Sequence, residues 1–167
     1  MKKSILIVLI AFGFNSFSQA QGKQNNKTNS NNTLNLKKMN DQKNETQSFN
    51  EYQEVLKALQ PYIKSAKTGD GKLSRSAFYD HADIIGSMNG KYIHQTADQF
   101  GKDLSSFGAS ENVQHHVAWI DISGPAAAAK VEFIDWLGFR FTDFFVLYKK
   151  NGEWKISGKV YDSHSQN

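Results

Sequence analysis

The sequence predicts an α+β fold in which a curved antiparallel sheet packs against helices near the N-terminus. Apolar residues at helical spacing come first, between residues 48 and 66, and four strand-like segments fill the C-terminal part. Short turns separate those strands, and such turns join antiparallel neighbours. Helices followed by a run of strands are typical of the α+β class.

The first twenty residues are typical of a secretory signal peptide. Lys2 and Lys3 precede an apolar run over residues 5–14, and Ser18 and Ala20 offer the small residues that cleavage needs. We therefore expect residues 1–20 to be removed on export to the periplasm or the medium. The run is too short to span a bilayer, and the chain has no cysteine to carry a lipid. A soluble protein without a stable membrane anchor is expected.

Residues 21–47 are rich in Asn, Gln, Lys, Thr and Ser, so the sequence predicts a disordered linker there. The leader and linker also hold the basic charge, because seven lysines stand against two acidic residues before Ser48. The predicted domain, residues 48–167, carries 13 basic and 14 acidic side chains. This near neutrality argues against nucleic acid as a partner.

The first predicted helix begins at Ser48, which forms a capping box with Glu51. Pro61 lies inside the helix and is expected to kink it, because its ring crowds the preceding turn. The core side is predicted from apolar residues that recur at helical spacing, namely Tyr52, Val55, Leu56, Leu59, Tyr62, Ile63 and Ala66.

Shorter elements follow before the sheet. Asp70 is placed to cap a second, short helix, and Asn89-Gly90 predicts the turn of a hairpin. Thr96 and Gln99 form a capping box for a third helix that ends near Phe107.

Turn lengths predict the register of the four strands. The Asn151-Gly152 turn sets Asp143 opposite Val160, and the earlier loops set Val131 opposite Asp143 and His116 opposite Phe133. The strands are predicted at residues 113–123, 126–135, 139–150 and 153–162.

One face of this sheet is mostly apolar and is the predicted core side. Three alanines on it, at positions 118, 127 and 129, leave room for a cavity. We expect a pocket for a small apolar or aromatic ligand, lined by Tyr62, His116, Ala118, Val131, Phe133, Phe141, Phe145 and Val160.

Asp143 is the candidate catalytic residue, because it falls among phenylalanines and valines where an unpaired carboxylate is costly. It is either a structural aspartate, satisfied by a helix amide, a lysine or a tyrosine, or a pocket carboxylate with a raised pKa that acts as general acid or base. His116 is either an exposed or satisfied histidine or a flank of the ligand site. The five histidines form no metal-binding spacing, and no cofactor is expected.

The segment from Phe141 to Leu147, followed by Gly152-Glu153-Trp154-Lys155-Ile156, resembles the nuclear transport factor 2-like (SnoaL-like) superfamily. The branch it is most similar to is the one named for putative lumazine binding, and the resemblance covers nearly all of the predicted domain. It implies a cone-shaped, cystatin-like fold with an interior pocket and a homodimer. One departure is Phe78-Tyr79-Asp80-His81-Ala82, where the branch tends to have Phe-His-Pro-Asp-Ala.

Three functions remain open from the sequence. The first is binding of a small ligand without chemistry, in the aromatic-lined pocket. The second is an enzyme of the isomerase or dehydratase type, with Asp143 as acid or base and His116 or Tyr62 orienting the substrate. The third is an interaction module, in which the mixed outer face of the sheet buries a second copy of the chain.

Overall fold

The computed structural model describes residues 28–164, with side chains from residue 32 onward. The predicted signal peptide, residues 1–20, lies outside the described residues. The described residues fall into two units, residues 28–40 and 41–164, and the contacts below belong to the second. Within the described residues, no helix combines the length and the apolar character that crossing a membrane requires.

Helices precede and interrupt a single six-stranded sheet, which confirms the predicted α+β class. In the described part of the chain the elements are α1 Thr28–Thr68, α2 Gly71–Ser76, β1 Phe78–Met88, β2 Lys91–Thr96, α3 Ala97–Phe107, β3 Gln114–Ser123, β4 Ala126–Trp136, β5 Phe139–Lys150 and β6 Glu153–Ser163.

Helix α1 begins twenty residues earlier than predicted, so the start at Ser48 is wrong. Residues 28–47, which were predicted to be disordered, are helical, although the side chains of residues 32–50 are all exposed. The segment contains no glycine and, like the rest of α1 before Pro61, no proline, and its polar residues weaken a helix only slightly. The buried apolar residues Val55, Leu59, Tyr62, Ile63 and Ala66 confirm most of the predicted core side. Tyr52 is exposed and Leu56 is half-buried, so their placement in the core is wrong.

The two short helices pack closely against each other. The caps predicted for these two helices are confirmed, because Asp70 accepts a hydrogen bond from the Leu73 amide and Thr96 forms a capping box with Gln99. A Cβ atom at Gly71 would lie 1.7 Å from the Gly101 carbonyl oxygen, so only glycine permits this contact. The contact fixes α3, whose inner side covers one end of the sheet.

The strand order is β2-β1-β6-β5-β4-β3. Every neighbouring pair is antiparallel except β1 and β6, which are parallel. The predicted hairpin turn is confirmed, since Asn89 and Gly90 both adopt positive φ angles of 52° and 74°. The parallel pair places β1, which was predicted only as part of a hairpin, inside the main sheet.

Two β-bulges change the predicted register. Ser157 is an extra residue in β6 between the Val146–Gly158 and Leu147–Ile156 pairs, so Asp143 lies opposite Tyr161 and not Val160. Ala118 is the corresponding extra residue in β3, and it sets His115 rather than His116 opposite Phe133. Because side chains alternate with a period of two, each bulge turns the residues beyond it to the other face.

Candidate functional site

A polar cluster lies at the centre of the core. The Tyr62 hydroxyl donates a hydrogen bond to Oδ2 of Asp143 at 2.6 Å and accepts one from Nζ of Lys159 at 2.6 Å. Lys159 Nζ also lies 3.3 Å from the same carboxylate oxygen. The three side chains, from α1, β5 and β6, form the Tyr62–Asp143–Lys159 cluster, and all three are buried.

Tight packing holds the tyrosine in place. The Tyr62 ring contacts five other aromatic rings at centroid distances of 5.1 to 6.0 Å, from Phe78, Phe100, Phe133, Trp136 and Phe145. These contacts fix its hydroxyl between the carboxylate and the ammonium group. Aromatic packing therefore holds the cluster in place together with its polar contacts.

Burial sets the protonation behaviour of the cluster. It raises the pKa of Asp143, although the nearby Lys159 charge and the Tyr62 hydrogen bond act in the opposite direction. It likewise lowers the pKa of Lys159, against the attraction of Asp143. The pKa of Tyr62 is raised well above its ordinary value, by burial first and then by the charge of Asp143. Desolvation thus penalises the charged forms of Asp143 and Lys159, and it favours transfer of a proton from the lysine to the aspartate.

An apolar cavity of about 150 Å³ reaches this cluster from the surface. It lies between α3, the β1–β2 hairpin and one end of the sheet, and the exposed ring of Phe107 is part of its lining. A cavity of this size accepts roughly one aromatic ring. The lining residues are Met88, Ile93, Gln95, Phe100, Asp103, Leu104, Phe107, Trp136, Leu137, Phe141, Lys159 and Tyr161.

Lys159 connects the cavity with the polar cluster. Its Nζ atom lies 4.8 Å from the Phe100 ring centre and 4.3 Å from that of Tyr161, and both rings line the cavity. A Cβ atom at Gly86 would lie 2.3 Å from the Tyr161 ring, so this glycine lets the ring lie against β1. The ammonium group therefore lies at the inner end of a mostly apolar site, whose other polar lining residues are Gln95 and Asp103.

Two buried polar atoms lie near the cavity without a hydrogen-bond partner among the described residues, one of them on the lining residue Trp136. Nε1 of Trp136 is buried and has no hydrogen-bond partner among the described residues. Oδ1 of Asp143 is also buried without a partner in the described part of the chain. A buried polar group left unpaired costs free energy, so both atoms mark places where an additional polar group would be favourable.

The structure separates the predicted site residues into three groups. Phe141 lines the cavity, whereas Tyr62, Val131, Phe133 and Phe145 are buried in the core next to it and do not line it. His116, Ala118 and Val160 were placed on the inner face, and that placement is wrong because of the two bulges. His116 is exposed and lies 3.7 Å from Glu132, Ala118 is the half-buried bulge residue, and Val160 points outward with about half its surface exposed.

Lys159 was not among the predicted site residues, although its amino group lies in the core. The only signal was Gly158, since a glycine inside a strand often marks a bulge. The aspartate was correctly predicted to be buried, and its partners are a lysine and a tyrosine, as one interpretation required. Within the described residues, no group of three or more His, Cys, Asp or Glu side chains could hold a metal ion.

Residues 50–162 match the family described as "Putative lumazine-binding". The chain belongs to this family. Two solved structures are each 32% identical to it, and both are of NTF2-like proteins of unknown function. The one from Methylobacillus flagellatus KT has a TM-score of 0.65 over 70% of this chain and 94% of its own. The one from Shewanella baltica OS155 has a TM-score of 0.67 over 71% of this chain and 97% of its own.

A more distant relative is the aldolase FrzH from a Cladobotryum species. It is 22% identical over 115 residues, which cover 68% of this chain and 92% of the relative. The family and these neighbours assign the chain to the NTF2-like superfamily, as the sequence resemblance indicated. They support a ligand-binding or isomerase-like fold.

Proposed function

We propose that the domain binds a small apolar or aromatic molecule in the cavity between α3 and the sheet. The observation that carries this proposal is the lining of the cavity, which is apolar except for its rim and the ammonium group of Lys159 at its inner end. Pockets of this composition bind by burying apolar surface and use the few polar groups to orient the ligand. The ammonium group of Lys159 is a hydrogen-bond donor, so the ligand would carry an acceptor oxygen or nitrogen.

Family membership supports binding of a small molecule but leaves its identity open. The cavity accommodates about one ring, so a two-ring compound such as a lumazine would keep part of its structure at the opening. Gln95 and Asp103, which hydrogen-bond each other there, are the polar groups that such a portion would meet.

Thermal denaturation with single-ring aromatic compounds tests the proposal. A compound that binds only the folded state raises the melting temperature as its concentration increases. Ile93→Trp fills the cavity and should abolish the rise, whereas Tyr92→Trp, at the neighbouring exposed position of β2, should retain it. Equal responses of the two variants would place any binding elsewhere and contradict the proposal.

Acid–base catalysis is the second candidate function, and the Tyr62–Asp143–Lys159 cluster favours it. Asp143 does not line the cavity, so it would act through Lys159, which does. Perturbed titratable groups beside a cavity are typical of active sites. A distant relative is named as an aldolase, which supports an enzymatic function as the second candidate.

Exchange of α-hydrogens for deuterium in a small ketone, followed by NMR, tests this alternative without a known substrate. The wild-type protein should accelerate exchange, and Asp143→Asn and Tyr62→Phe should each abolish the acceleration. Circular dichroism at the assay temperature verifies that both variants are folded. Exchange at the wild-type rate in a folded Asp143→Asn protein would remove this residue from the mechanism.

We also propose a homodimer formed through the outer face of the sheet. Large apolar side chains are exposed there on β3, β5 and β6, and contiguous apolar surface of this kind is typical of interfaces. Light scattering should give twice the mass of the chain, and Val146→Lys should halve it. A monomeric wild type would contradict the proposal. The exposed residues are Trp119, Phe144, Val146, Tyr148 and Val160.

Export is proposed from the leader sequence alone. Mass spectrometry of the protein produced in a bacterial host should give a mature chain that begins at Gln21. Retention of Met1 in the cytoplasmic fraction would contradict it.

A further inference from the structure

Lys159 differs from an ordinary structural lysine in the position of its amino group, which is buried next to a cavity. Its side chain is about 2% exposed, and yet the residue lines a cavity that opens to the surface. Two of the three aromatic rings around Nζ, those of Phe100 and Tyr161, also line this cavity. A ligand that enters between these rings would therefore reach the amino group from the open side.

The groups behind the amino group are suited to take its proton. Oδ2 of Asp143 and the hydroxyl of Tyr62 lie 3.3 and 2.6 Å from Nζ, and neither residue lines the cavity. A buried ion pair gains little over the neutral pair, because desolvation penalises both charges. Burial correspondingly lowers the pKa of Lys159 and raises that of Asp143. At a given pH, Lys159 is thus more often in the neutral amine form than a surface lysine is, and a neutral amine is a nucleophile.

We propose that Lys159 forms an imine with the carbonyl carbon of a small aldehyde or ketone bound in the cavity. The proposal rests on the proposed ligand site and specifies the chemical class of its ligand. The apolar lining selects an aromatic or aliphatic carbonyl compound of about one ring in size.

The step balances with groups that are present. Nζ passes one proton to Asp143, and its electron pair then forms a bond with the carbonyl carbon while the C=O π electrons move to oxygen. The two remaining Nζ protons and that oxygen leave as water, and a C=N double bond remains. The carboxyl group of Asp143 keeps the first proton and can protonate the imine nitrogen.

Reductive trapping tests the proposal. The full chain is incubated near neutral pH with benzaldehyde and cyanoborohydride, which reduces an imine to a stable benzylamine. Peptide mass mapping should locate one benzyl group on Lys159, at least ten times faster than on Lys149 or Lys155. Benzyl alcohol, which has the same ring without the carbonyl, should slow the labelling by competition.

Matched variants separate the site from the surface. Lys159→Met should lose the fast labelling, and Lys155→Met, on the same strand, should retain it. The mapping of the wild-type protein needs no variant, so it decides the question even if Lys159→Met does not fold.

The possible outcomes distinguish this proposal from the ligand site on which it rests. If benzyl alcohol and benzaldehyde both raise the melting temperature but Lys159 is not labelled, the imine is overturned and the ligand site stands. If neither compound binds and labelling is spread evenly over the surface lysines, both proposals fail.

Discussion

Lys149 and Lys159 both connect α1 with the sheet, and each contacts acidic and aromatic side chains, but water reaches only the first. Lys149 Nζ lies 2.9 Å from Glu51 and 2.7 Å from Glu54, and the indole N–H of Trp154 donates to Glu51 at 3.0 Å. These four residues form the surface cluster. Lys159 belongs to the Tyr62–Asp143–Lys159 cluster, which is fully buried.

The two clusters titrate in opposite directions. In the surface cluster, hydrogen bonds to Glu54 and Glu51 raise the pKa of Lys149, and hydrogen bonds from Lys149 and Trp154 lower the pKa of Glu51. In the buried cluster, desolvation lowers the pKa of Lys159 and raises that of Asp143. Similar residues thus hold their charges firmly when solvated and loosely when buried. The surface cluster is structural, whereas the buried one is prepared to exchange protons.

The largest expected difference is in stability. Asp143→Asn leaves the buried ammonium without a counter-ion, and breaking a buried pair in this way costs about 3–5 kcal/mol. Glu51→Gln should cost much less, because Glu54 and water still solvate Lys149. Urea unfolding of both variants measures the difference. Equal losses in free energy of unfolding would contradict the distinction between the clusters.

Removal of both buried charges should restore most of the lost stability. Lys159→Met added to Asp143→Asn leaves no buried charge, and the amide oxygen still accepts from the Tyr62 hydroxyl. The double variant should unfold at nearly the urea concentration of the wild type. A double variant less stable than Asp143→Asn alone would mean that the ammonium is stabilised without the carboxylate.

The buried tyrosine should matter more than an exposed one. Tyr62→Phe removes hydrogen bonds to two charged partners, which costs about 1.5–3 kcal/mol. Tyr79→Phe is the control, because that hydroxyl makes one bond, to the Tyr148 carbonyl at the surface. Thermal and urea unfolding should show a larger loss of stability in Tyr62→Phe than in Tyr79→Phe. A larger loss in Tyr79→Phe would contradict a stabilising role of the buried hydrogen bonds.

The carboxyl groups of the two clusters should contribute to the pH dependence of stability with opposite sign. The pKa of Lys159 is lowered in the folded state, whereas the unfolded value is the ordinary one of about 10.4. Between these two values the folded state binds fewer protons, so the contribution of Lys159 to the free energy of unfolding rises with pH. Asp143 binds more protons when folded above ~3.9, so its contribution falls with pH up to its raised pKa. Glu51 has a lowered pKa, and the stability it adds is present above ~4.3 and is lost as the pH falls.

Urea unfolding over a range of pH separates these contributions. Lys159→Met should flatten the alkaline rise, and Glu51→Gln should flatten the loss of stability in acid. Unchanged profiles in the two variants would contradict the assigned directions.

The sequence predicted the elements well because caps and turns are local. The Thr96–Gln99 capping box and the Asn89-Gly90 turn each depend on a few neighbouring residues, and both are confirmed. Asp143 was also predicted to be buried, from the apolar residues around it.

The site was harder to predict because one residue changes the face of a strand. The Ser157 bulge moves Lys159 inward and Val160 outward. The alternation of polar residues at 155, 157 and 159 instead indicates that all three face outward. The cavity depends further on how α3 meets the sheet, which tertiary packing decides. Phe100 and Trp136 therefore could not be assigned to one cavity from spacing alone.

NMR titration of the lysine Nζ atoms tests the central claim most directly. The account predicts that Lys159 titrates below the ordinary lysine pKa of about 10.4, and Lys149 above it, in the same sample. A pKa of Lys159 equal to or higher than that of Lys149 would contradict the account, because the buried lysine would then hold its charge as firmly as the surface one.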